Sequence, residues 1–121
     1  MAQEAIFRHG SPQFADYTPA AGNIAAGQVV LMGNLTGLTV GVAHLDIANN
    51  VLGSLAIGGG VYDVTMLTNI AANTNVWWDD TNNKVSTTST NFGYFGMTLT
   101  GGTGANTTVE VLHKPYSGMA T

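Results

Sequence analysis

The chain has 121 residues, of which 45% are apolar and only 8% charged, with a net charge of -4 and no cysteine. That length fits one domain, and low charge combined with many Val, Ile and Leu excludes a disordered chain. Three cations (Arg8, Lys84 and Lys114) exclude a phosphate-binding patch for nucleic acid and a polybasic membrane anchor. Without cysteine there is no disulfide framework, thiolate nucleophile or Cys-based zinc site. The start shows no basic region followed by an apolar one, and no run approaches the roughly 18 apolar residues of a membrane helix. Synthesis and first folding are therefore expected in a reducing cytoplasm. The polar quota falls on neutral Thr, Asn, Ser and Gln. A surface this short of charge lacks the repulsion that keeps monomers apart, so part of it is expected to be covered by partners.

Taken in chain order, residues 1–19 differ from the rest. They carry Arg8, two prolines (Pro12 and Pro19) and the isolated aromatics Phe7, Phe14 and Tyr17. Proline favours extended backbone and removes ladder donors, so this segment reads as an extended N-terminal arm lying on another surface, with residues 14–18 able to pair as an edge strand. A frayed terminus is the plainer reading, though exposed Phe and Tyr suit a free tail poorly. Residues 20–27 form a small-residue connector. Strands are then expected at 28–32 (QVVLM), 38–43, 51–57, 61–67, 76–79, 84–87, 92–99 and 107–113. Their boundaries are Gly33-Asn34, a break at 46–50 containing Asn49-Asn50, the triplet Gly58-Gly59-Gly60, the hairpin turn at 80–83, and the loop at 100–106. In the last strand Val109 and Val111 share one face, and Glu110 and Leu112 the other. Short helices are conceivable only near 20–26 or 69–75. The expected architecture is all-β: one compact barrel- or sandwich-like domain over 20–121, preceded by the arm at 1–19.

Chemistry-bearing patterns are scarce. The loops Gly58-Gly60 and Gly101-Gly104 are followed by no Lys, so neither is a phosphate loop, and no G-x-S-x-G or H-E-x-x-H occurs. Asp79 and Asp80 are adjacent, so on a strand they point apart. A solvated hairpin turn explains them better than a carboxylate pair or a calcium loop. His9, His44 and His113 are far apart and have no ligand partners at recognisable spacing. The sequons at Asn34 and Asn106 are accounted for by chance in an Asn- and Thr-rich chain. Trp77 and Trp78 would face opposite sides of one strand, so one can enter the core while the other is exposed or covered by a partner. No catalytic, cofactor or metal site is expected.

The order of segments resembles the phage capsid cement (head decoration) proteins. Tyr17-Thr18-Pro19-Ala20-Ala21 and Ala26-Gly27-Gln28-Val29-Val30 are similar to that family's opening. Leu52-Gly53-Ser54-Leu55-Ala56-Ile57 and Gly60-Val61-Tyr62-Asp63-Val64 resemble its central strands. Asn75-Val76-Trp77-Trp78-Asp79 with Asn83-Lys84-Val85-Ser86-Thr87 is similar to its hairpin, and Phe92-Gly93-Tyr94-Phe95-Gly96 and Val109-Glu110-Val111-Leu112 to its closing strands. The resemblance spans roughly 14–113 and departs from the family at the longer N-terminus and at the 100–106 loop. It implies a non-enzymatic structural protein on the outer surface of an icosahedral head, bound to the major capsid protein as a homotrimer, without cofactor, nucleic acid or membrane. The contact residues expected here are Ile6, Phe7, Phe14, Tyr17, Trp77 and Trp78. Deleting residues 1–11 is then expected to weaken capsid binding and leave the fold intact. The competing reading is a carbohydrate-binding or fibre-type adhesion module, with an exposed Trp77 or Trp78 stacking on sugar rings.

Overall fold

The computed structural model describes residues 4–32, 39–87, 93–104 and 107–114, and no helix occurs among them. Eight strands do: β1 (Ala5–Tyr17), β2 (Val29–Met32), β3 (Thr39–Val42), β4 (Gly53–Thr65), β5 (Asn75–Asp79), β6 (Lys84–Ser86), β7 (Gly93–Thr98) and β8 (Thr108–His113). They form one sheet in the order β2-β3-β4-β8-β7-β5-β6, with β1 added on β4. The sheet curls into a half-barrel, and a parallel bridge, Thr39 to Tyr94, brings β3 against β7. The all-β expectation holds. The Gly33-Asn34 turn, the sequon asparagines Asn34 and Asn106, and the strand-leading Leu38 and Phe92 lie outside the described residues.

β4 is the spine. Val61 and Val64 pair with β1 on one side and with β8 on the other. Two strands separated by a turn at Gly58-Gly60 were expected, but the chain runs through these glycines as one strand. Their role is close approach. Gly10 (φ 110) pairs with Gly60 across the β1–β4 ladder, beside Gly59 (φ 94). A Cβ on Gly10 would lie 2.7 Å from the Gly59 oxygen, and one on Gly59 would lie 2.7 Å from the Ser11 oxygen. Only glycine lets the two backbones pass so closely at a bulge.

Neither of the two short-helix sites is helical. In both places a buried isoleucine makes an isolated antiparallel bridge, Ile24 with Ile47 and Ile70 with Gly102. A tight turn then follows each of the three isoleucines. Each turn has a left-handed residue three positions later: Gly27 (φ 85), Asn50 (φ 63) and Asn73 (φ 61). Asn tolerates this conformation because its short polar side chain bonds locally, so the turn wins over a helix that Asn and Gly would weaken.

The main core joins Ala5, Val40, Val42, Ala56, Tyr62, Val64, Met66, Trp78, Phe95, Val109 and Val111 with neighbouring residues. A smaller one holds Ile24, Ala43, Ile47 and Leu55, with Tyr17 and Val30 packed on it. Each large side chain so buried contributes about 1.5–3 kcal/mol. The alternation read in β8 is present, with Val109 and Val111 buried and Glu110 and Leu112 half-buried.

The hairpin between β5 and β6 is capped by Asp79. Its Oδ1 accepts the backbone N–H of Thr81 (2.9 Å) and of Asn82 (3.1 Å), and its Oδ2 accepts the Asn82 side-chain amide (2.8 Å). Burial alone would raise this carboxyl. The bonds from Asn82 and Thr81, with the charge of Lys84, outweigh it and hold Asp79 below the usual carboxylate value. Asp79→Ala should cost about 1–2 kcal/mol in urea denaturation, and Asp79→Asn, which keeps an acceptor, should cost less.

Candidate docking face

β1 is extended as expected, and the surface it lies on is β4 of the same chain, paired from Ala5–Val64 to Tyr17–Gly53. It contributes little to the interior: Ala5 is buried, Tyr17 half-buried, and most of the strand between them is exposed. Ile6 (47% exposed), Phe7 (41%) and Phe14 (50%) are exposed along it. In a regular strand, residues 7 and 14 point to opposite faces, being an odd number apart. The register shifts between Phe7 and His9, and between Gly10 and Phe14, change that parity. Both rings reach the same neighbour, His44, at centroid distances of 5.0 Å for Phe7 and 5.1 Å for Phe14.

His44 links this strip to the core. Its Nε2 lies 2.6 Å from the Tyr62 hydroxyl, and Phe7 also packs edge-on to Tyr62 at 5.6 Å. Burial raises the Tyr62 phenol and lowers His44, so the phenol keeps its proton and a neutral imidazole can accept it. Beneath lie His113, 5.6 Å from Tyr62, and Phe95, 5.0 Å from His113. The exposed phenylalanines are thus seated on a packed aromatic column. Side chains fixed in this way lose little conformational freedom when a partner covers them.

His113 is fully buried, and its Nε2–H donates to the Val40 carbonyl at 2.7 Å. Its Nδ1, left as a bare lone pair, has no partner among the described residues. Burial is the largest influence and the nearby His44 adds to it. Together they outweigh the Val40 bond and depress His113 to about 4. The unfolded chain takes up this proton near pH 6.5, so the stabilisation from a neutral His113 is complete above pH 6.5. It is lost as pH falls from there to about 4. Urea titrations should show about 3 kcal/mol lost over that window, and His113→Gln should flatten the dependence.

The six residues singled out from the sequence fall into three groups. Phe7 and Phe14 form the exposed strip on His44, while Ile6, also exposed, alternates to the other face of β1. Tyr17 is half-buried on the smaller core cluster. The tryptophans divide as their alternation requires. Trp78 is wholly buried, with its indole N–H donating to Asp80 at 3.1 Å, while Trp77 is half-buried against Tyr94 at 5.4 Å. Trp78 therefore has no face to offer a capsid or a sugar ring, because the core side of β5 claims it. His44, Leu45 and Leu52 were not expected among the contacts, yet the fold places all three beside Phe14. Their signal, isolated leucines flanking turn residues, is indistinguishable in sequence from ordinary loop chemistry. No metal-ligating group of three or more His or carboxylate residues occurs among the described residues.

No curated protein and no solved structure matches the chain. The model of the phage cement protein family does, over residues 10–113. That span takes in β1 from Gly10 onward and every later strand, including the aromatic column and Phe14, while Ile6 and Phe7 precede it. The chain belongs to the phage cement protein family.

Proposed function

We propose that this protein docks on the outer surface of an icosahedral phage head and ties neighbouring copies of the major capsid protein together, acting as a homotrimer. Its family makes it a capsid cement protein, a structural component associated with the phage capsid. In this proposal it is made in the host cytoplasm, with the 1–19 segment serving as a docking strip on the 20–121 domain. The observation that carries the reading is the exposed pair Phe7 and Phe14, both packed on His44, on a chain with few charges. Such a strip suits apolar contact with a shell, and several weak contacts linked in one trimer supply avidity. A ligand that binds only the assembled shell stabilises it by mass action.

Comparing the heat-induced release of DNA from heads with and without bound protein tests this. Decorated heads should hold their DNA to a temperature several degrees higher. Identical release curves at saturating protein would contradict the proposed role.

A further inference from the structure

A second surface adjoins the strip. Phe14, His44, Leu45, Asp46, Leu52 and Ser54 line an open groove of about 420 Å³. Among the described residues, Leu45 (76% exposed) and Leu52 (66%) are the most exposed of the large apolar side chains, and both stand on its walls. The rim is acidic. Asp46 lines the groove, and Asp16 is exposed, paired in register with the lining residue Ser54. Burial lowers His44, so the imidazole brings no positive charge at neutral pH.

An apolar floor between two carboxylates calls for an apolar side chain accompanied by a cation. A second copy of this chain is a poor source. Arg8 sits 3.6 Å from Asp63, Lys84 stands opposite Asp79 in the hairpin, and Lys114 is also engaged. We infer that the Phe14–Leu45–Leu52 groove receives a loop of the head's shell protein carrying a large apolar side chain beside Lys or Arg. This inference rests on the capsid-docking reading above and adds to it a second contact of defined chemistry. The apolar side chain would fill the groove while its cationic neighbour meets Asp16 and Asp46. Electrostatic attraction of this kind speeds association and weakens with salt.

The test is binding to expanded, undecorated heads of the protein's own phage at low and moderate salt. It uses the wild type, Leu45→Ser with Leu52→Ser, and Asp16→Asn with Asp46→Asn, all first shown to melt within a few degrees of one another. The leucine pair should bind at least about tenfold more weakly. The aspartate pair should lose several-fold at low salt and most of the salt dependence. Wild-type binding by the leucine pair would overturn the groove's role while leaving the docking reading intact. An unchanged salt dependence in the aspartate pair would overturn the basic partner. Loss of self-association with unaltered head binding would assign the groove to a second copy instead. A wild type that fails to bind heads would remove both this inference and the reading beneath it.

Discussion

Replacing Gly96 by alanine should leave little folded protein. Gly96 lies mid-strand in β7, paired with Val76 on one side and His113 on the other. Its φ of 154 suits glycine far better than residues bearing a Cβ. A Cβ built there would fall on the carbonyl oxygen of Leu112, with the Lys114 nitrogen only 3.1 Å away. Both are backbone atoms in the ladder with β8, so no side chain can swing aside to make room. The sheet must open next to His113 and Phe95, both fully buried. A cost of about 4 kcal/mol or more is expected, against a total stability of roughly 5–15 kcal/mol for a domain. Thermal unfolding should show the Tm falling by more than about 10 °C, with most of the protein insoluble. A Tm within a few degrees of wild type would show that β7 and β8 can separate at this point without losing the fold.

The second large effect concerns binding. Phe7→Ser combined with Phe14→Ser should weaken attachment to heads by at least about thirtyfold, corresponding to roughly 2 kcal/mol lost from an interface hot spot. Multivalent attachment would enlarge the measured loss. Stability should change far less, because both rings are already about half exposed. Point substitutions isolate the contact better than deleting residues 1–11. That deletion would also remove Ala5 from the core, strip the Glu4 carboxylate from the Val29 N–H (2.8 Å), and bare one edge of β4. Co-sedimentation with heads, alongside a melting curve for each variant, checks the expectation. Full binding by a folded double variant would move the docking face elsewhere.

How much of this was legible in the sequence differs from element to element. Strands such as β2, β5 and β8 were readable because each is a short β-branched or aromatic run bounded by turn residues, with a two-residue alternation added in β8. The hairpin at 80–83 was readable from its Asp and Asn chemistry, and Asn83 does adopt the left-handed conformation (φ 58). Gly58-Gly60 misled because a glycine triplet means a turn when nothing passes beside it and a tight crossing when a neighbouring backbone does. That neighbour, β1, is far away in sequence. The same long-range effect hid the docking face. Phe7 and Phe14 were visible as unusual aromatics, but bulges set by the β4 glycines turn both towards His44. Likewise the sequence shows that Trp77 and Trp78 diverge, whereas the curl of the sheet decides which one is enclosed.

Gradient sedimentation of the purified protein with expanded, undecorated heads of its own phage tests the central claim most directly. Saturable co-migration with the heads, at a stoichiometry near that of the capsid subunits, is the predicted result. Protein that stays at the top of the gradient at every concentration would contradict it.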